Sequence, residues 1–150
     1  MKKVIKILSC ILTLNLLAGC GKLIGEETTI FNSMQVDQKD DTIVSEGEVK
    51  IHETTGTLIT VEVSENTTGL FHISYTKDKG ALKITQGDKD IVTLEKEEAK
   101  DITSDEYKVS LTKGRNDFDI SGEDSTCKYS AELKIDDSSK IVSFGGGSLK

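Results

Sequence analysis

Proline and tryptophan are absent from the 150 residues, cysteine is limited to three positions and histidine to two. Three cysteines cannot build the dense disulfide framework that small exported domains use in place of a large core. Carbohydrate binding through the exposed aromatic platforms typical of sandwich modules is possible but finds no support. There is no tryptophan, and Phe71, Tyr75, Tyr107, Phe118 and Tyr129 all alternate onto core faces. Only His52 and His72 could supply an imidazole base to a nucleophile. Positive charge is in deficit, 19 Lys and Arg against 26 Asp and Glu. That balance argues against nucleic-acid binding and against a domain lying flat on anionic lipid. Long hydrophobic runs are lacking as well. The one apolar run, Ile7 to Ala18, is interrupted by Ser9, Thr13 and Asn15 and falls short of the roughly 20 apolar residues that cross a bilayer. The missing proline does not discriminate a sandwich from a barrel.

What is present begins with that short run. It follows Lys2, Lys3 and Lys6, giving the charged and apolar regions of a secretory signal. It ends Leu17-Ala18-Gly19-Cys20 instead of in a small-residue cleavage site of the A-x-A kind. These residues resemble, position for position, the lipobox of bacterial lipoproteins, Leu-x-Gly/Ala-Cys after an apolar stretch. The resemblance covers about the first 20 residues. It implies a signal peptide of residues 1–19, diacylglyceryl on the Cys20 sulfur, and cleavage between Gly19 and Cys20. A protein so processed is held at the extracytoplasmic face of the cell membrane. Two acyl chains suit the task, since one chain of myristoyl length binds only reversibly. Gly21 carries no signal for special retention, and the Lys/Ile/Asp-rich composition suggests a Gram-positive-like host. Cys10, in mid-run without Leu-x-Gly before it, leaves with the signal.

Loss of residues 1–19 leaves 131 residues, takes away Lys2, Lys3 and Lys6, and moves the formal net charge from −7 to −10. That length suits one domain able to bury most of its unfolded surface. With Cys20 acylated, Cys127 has no intrachain disulfide partner. It opens the alternation Cys127, Tyr129, Ala131, Leu133, Ile135, which predicts a buried structural thiol with no histidine or basic cluster to activate it. The acidic surface is compatible with a cationic protein or peptide partner, although such surfaces commonly serve solubility alone.

Residues 20–40 read as the lipidated cysteine and a polar spacer, with "TIFNSMQV" able to pair as an extra strand. If flexible, 20 residues span roughly 25 Å r.m.s.. Over residues 41–144 apolar side chains recur at period two in short pieces. Ile59, Val61 and Val63 share a face, as do Phe71, Ile73 and Tyr75, Leu82 and Ile84, Val92 and Leu94, Tyr107, Val109 and Leu111, and Phe118 and Ile120. With "EVKIH" and "CKYSAELKI" these make about eight strands. The turn-bearing pieces "KDKG", "GDKD" and "KGRN" separate them. The pattern predicts an all-β antiparallel sandwich, jelly-roll or Ig-like, with a barrel as the alternative. The nearest helical candidate, "EKEEAKD", has no apolar stripe. "YKVSLTKGRNDFDISGED" followed by "CKYSAELKI" resembles the closing strands of small jelly-roll-like modules on bacterial surface proteins. Residues 145–150, opening with three glycines, are expected to form a loose tail, because ordering glycine is entropically costly.

Chemistry is sparse. His72 falls on the polar face of its strand and His52 ends a strand beside Glu53, so both are expected to face solvent. No Cys/His pair has zinc-ligand spacing. The acidic turns at residues 87–90, 122–125 and 136–139 lack the D-x-D-x-D-G…E pattern of a calcium loop. No catalytic residue, metal ligand or cofactor is assigned, and Cys20 carries the only functional assignment. The expected role is a membrane-anchored, non-enzymatic interaction or envelope-accessory module. The alternative is an inhibitor or immunity lipoprotein that captures a cationic enzyme or peptide. A hydrolase would require His52 or His72 beside a serine and a carboxylate in a cleft.

Overall fold

The computed structural model of the protein describes residues 28–77, 80–94, 100–103 and 105–147. In chain order the strands are β1 (Thr28–Lys39), β2 (Thr42–His52), β3 (Thr55–Val63), β4 (Thr67–Lys77), β5 (Leu82–Gln86) and β6 (Lys89–Leu94). They continue with β7 (Lys100–Thr103), β8 (Tyr107–Leu111), β9 (Gly114–Gly122), β10 (Ser125–Ile135) and β11 (Ile141–Gly145). A single 3-10 turn, Ser138–Lys140, precedes β11, and no α-helix occurs among the described residues.

The strands form two antiparallel sheets. One has the order β1-β2-β10-β4-β7, with β8 pairing β4 beside β7, and the other runs β11-β3-β9-β5-β6. The expected antiparallel β-sandwich is therefore the fold. Apart from the link between β7 and β8, which runs along the edge of β4, connections alternate between its two ends. The β2–β3 and β9–β10 turns lie at the end where Thr28 pairs His52 and Ser125 pairs Ile51. The β1–β2 turn, the β3–β4 loop and the β10–β11 link lie at the other. There the Ile135 amide donates to Asp41 O (2.8 Å) and the Ser64 amide to Lys140 O (2.8 Å).

Alternation explains the core directly. In β10 every second residue from Ser125 to Ile135 is buried, and the residues between are half-buried or exposed. Phe71 of β4 and Phe118 of β9 come from opposite sheets, are fully buried, and stack with ring centroids 5.1 Å apart and planes within 1°. Burying one such ring stabilises the fold by about 1.5–3 kcal/mol. The alternation breaks once in β3, where Thr57, Leu58 and Ile59 are all buried. A register shift between Thr57 and Ile59 gives β3 one more residue than β9 across from it. Asp119, opposite Thr57, is buried too and accepts the Thr57 hydroxyl hydrogen bond at 2.8 Å, which offsets the cost of its desolvation.

Three stretches differ from the sequence expectation. Residues 28–39, assigned to the spacer, form β1, so the extra-strand alternative holds. Phe31, Met34 and Val36 pack against the core, a gain in apolar burial that favours order over a free linker. Gly145 to Gly147, expected as the start of a loose tail, are laid against β3 and β1. The Gly147 amide donates to Thr57 O at 2.8 Å, and a Cβ on Gly146 would stand 2.5 Å from Leu58 O. Glycine serves here because nothing larger lets the backbone come so close. Residues 148–150 lie outside the described residues. Finally Lys77, read as part of a turn, ends β4 as a buried residue opposite Cys127, its Nζ donating to Gly80 O at 3.1 Å.

Candidate functional site

Cys20 and its cleavage neighbour Gly19 lie outside the described residues, as does the signal peptide. The chemistry of the folded domain therefore rests on its histidines, its acidic turns and a group of buried polar side chains.

His52 closes β2, and Asp124 sits in the β9–β10 turn with a positive φ of 43°. The fold brings Asp124 Oδ1 against His52 Nδ1, the base and carboxylate of a hydrolytic series. Ser125 follows immediately in sequence but does not complete it. Ser125 pairs with Ile51, so its side chain shares the inner face of the sheet with Ile51, while His52 belongs to the outer face. Ser125 is 1% exposed, and its Oγ has no hydrogen-bond partner among the described residues. The histidine's ring and the serine's oxygen are thus separated by the sheet itself. His72 lies on the outer face of β4, directly across from Glu132. The two border a depression of about 450 Å³ with Thr42, Glu106 and Lys134, and among the described residues no serine or cysteine lines it. Half-buried His72 and His52 match the outward placement expected of them.

The acidic turns are occupied by internal contacts. Asp90 pairs with Lys83 at 2.7 Å, and the Thr68 hydroxyl donates to Asp136. Asp137 caps the 3-10 turn, accepting from the Ser139 hydroxyl at 2.6 Å and its amide at 3.2 Å. That hydroxyl bond, aided by the amide and by Lys140, holds the Asp137 carboxyl below its usual range against a smaller opposing effect of burial. Among the described residues no group of three or more His, Cys, Asp or Glu side chains is arranged to hold a metal ion.

Inside the sandwich, β4 and β10 place Tyr75 opposite Tyr129 and Lys77 opposite Cys127. Cys127 is 1% exposed, the buried thiol that the alternation predicts. Burial pushes the Tyr75 hydroxyl up to about 12, with Cys127 and Tyr107 acting in the same direction. The Tyr75 oxygen has no hydrogen-bond partner among the described residues. Burial also raises Tyr129, opposed by its contact with the Ser45 hydroxyl at 3.4 Å. Both phenols stay neutral at ordinary pH and neither is poised as a base. Alternation revealed Cys127 and the tyrosines. It also points at Lys77, two residues past Tyr75, but a lysine is ordinarily placed at the surface.

At the Thr28 end an open, mostly apolar depression of about 450 Å³ is bordered by Glu53, Thr55, Leu82, Lys83, Gly122 and Glu123. Among the described residues no helix is long and apolar enough to cross a membrane.

No protein-family model and no curated protein matches the chain. Among solved structures it is similar to the Podospora anserina GH26-CBM35 beta-(1,4)-mannanase. The identity is 12% and the TM-score 0.37, over 75% of this chain and 27% of that one. The likeness thus spans about a quarter of the mannanase chain.

Proposed function

We propose that this protein is a bacterial lipoprotein, acylated at Cys20 and held at the extracytoplasmic face of the cell membrane. It presents its β-sandwich as a non-enzymatic interaction or envelope-accessory module. The observation that carries this reading is Leu17-Ala18-Gly19-Cys20 at the end of a short apolar run behind three lysines. The separation of His52 and Asp124 from the Ser125 oxygen supports a role without catalysis. In cells fed a labelled fatty acid, the wild-type chain takes up label and sediments with membranes. Cys20→Ala abolishes the label and leaves the unprocessed precursor, and continued labelling of that variant would overturn the assignment.

A second reading rests on the charge of −10 left after processing. In it the domain is an inhibitor or immunity lipoprotein that captures a cationic enzyme or peptide attacking the envelope. Some of its acid–lysine pairs are loose, as in Lys128–Glu48 at 3.9 Å and Lys134–Asp41 at 3.7 Å, and exposed pairs of this kind contribute little. Residues 21–150 should retain lysozyme-like basic proteins at low salt and release them as salt rises. Failure to retain them, together with no protection of cells expressing the protein, would eliminate this reading.

A further inference from the structure

The strand topology and the number of residues between Cys20 and β1 together determine which end of the sandwich meets the membrane. From Cys20 to Thr28 the chain advances eight residues. Fully extended they reach at most about 29 Å, at 3.3–3.6 Å per residue. As a flexible chain they average only about 14–17 Å. The twelve-residue β1 itself rises about 36 Å from Thr28 to Lys39. An inverted domain, with the β1–β2 turn at the bilayer, would raise Thr28 by more than the linking segment can reach.

We infer that the lipidated protein, on the reading proposed above, stands with its Thr28 end toward the headgroup layer and its other end toward the exterior. The membrane-facing end carries the β2–β3 turn at Glu53 and Thr54 and the β9–β10 turn at Glu123 and Asp124. It also carries the apolar depression between β3, β5 and β9. The outward end carries the β1–β2 turn, Ser64 to Asn66, the Lys113 turn and the 3-10 turn, and it is the end offered to partners. Glu53, Glu123 and Asp124 at this end give no attraction to anionic lipid, although Lys83 borders the depression, and chain length by itself is enough to exclude the inverted orientation.

The test uses the full lipidated chain in phosphatidylcholine vesicles that contain a headgroup-linked quencher lipid. Single fluorophores are placed through Thr54→Cys or Glu123→Cys at one end, and Glu65→Cys or Lys113→Cys at the other. Quenching is expected to be several-fold stronger at residues 54 and 123. A Gly/Ser insertion of about twenty residues between Gly25 and Glu26 should erase the difference. Equal or reversed quenching in protein that floats with vesicles overturns the orientation and leaves the anchor standing. Protein that neither floats nor carries acyl mass on Cys20 overturns the anchor, and the orientation falls with it. Two labels at each end ensure that one misfolded variant does not decide the result.

Discussion

Gly146 shows what a single hydrogen in place of a methyl group accomplishes. A Cβ there would meet a backbone oxygen, Leu58 O, at 2.5 Å, with Met34 Cε at 3.0 Å and Val36 Cγ2 at 3.1 Å. A backbone carbonyl within a paired strand cannot swing aside as a side chain can. Gly146→Ala is expected to destabilise the domain by about 1–3 kcal/mol, the usual cost of overpacking. Gly145 has nothing within 4 Å of its Cβ position, and Gly145→Ala should stay within about 0.5 kcal/mol of wild type. Urea denaturation of both variants checks the contrast, and a neutral Gly146→Ala would restore the picture of a loose tail. From the sequence alone, three glycines read as disorder. Composition reports the entropic cost of ordering them, and the compensating contact lies more than eighty residues away in β3. Cys127 was readable for the opposite reason, because its placement follows from neighbours two residues apart.

At the scale of elements, strands with strict alternation were readable and those with compensating irregularities were not. β10 alternates along its whole length, and its face assignments hold residue for residue. Among the described side chains of β1, Phe31, Met34 and Val36 are partly buried against the core, and its register against β2 slips between Phe31 and Ser33. That slip removes the period-two signal which would have separated a strand from a spacer. Yet β1 pairs with β2 along nearly the whole length of both. A fragment beginning at residue 41, the boundary that alternation suggests, should lose several kcal/mol relative to one beginning at residue 28. It leaves the β2 edge unpaired and the core side chains beneath Met34 and Val36 uncovered. Thermal unfolding of the two fragments, followed by far-ultraviolet circular dichroism, measures the difference. Equal melting temperatures would mean that β1 only decorates the sandwich.

For the molecule as a whole, the all-β sandwich was readable and the order of strands within its sheets was not. Period two tells which residues share a face, but it does not say that β2 will lie against β10, with Ile43 across from Leu133. Nor does it say that β9 will sit between β3 and β5. Those pairings join distant parts of the chain, and excluding the barrel alternative depends on them. The histidines show the same limit. Their outward direction was evident, whereas the meeting of His52 with Asp124 depended on two turns converging at one end. The topology also has a mechanical meaning. β1 enters the sheet at Thr28 and, on the anchoring proposed through Cys20, runs away from the anchor; its ladder extends from Thr28–His52 to Lys39–Thr42. A partner pulling outward on the exposed turns would therefore draw β1 and β2 past each other lengthwise. The load would fall on the whole row of hydrogen bonds together instead of opening them one at a time from an end. Under tension on such a tether β1 would act as a shear joint, and its rupture would set how long the domain survives the pull.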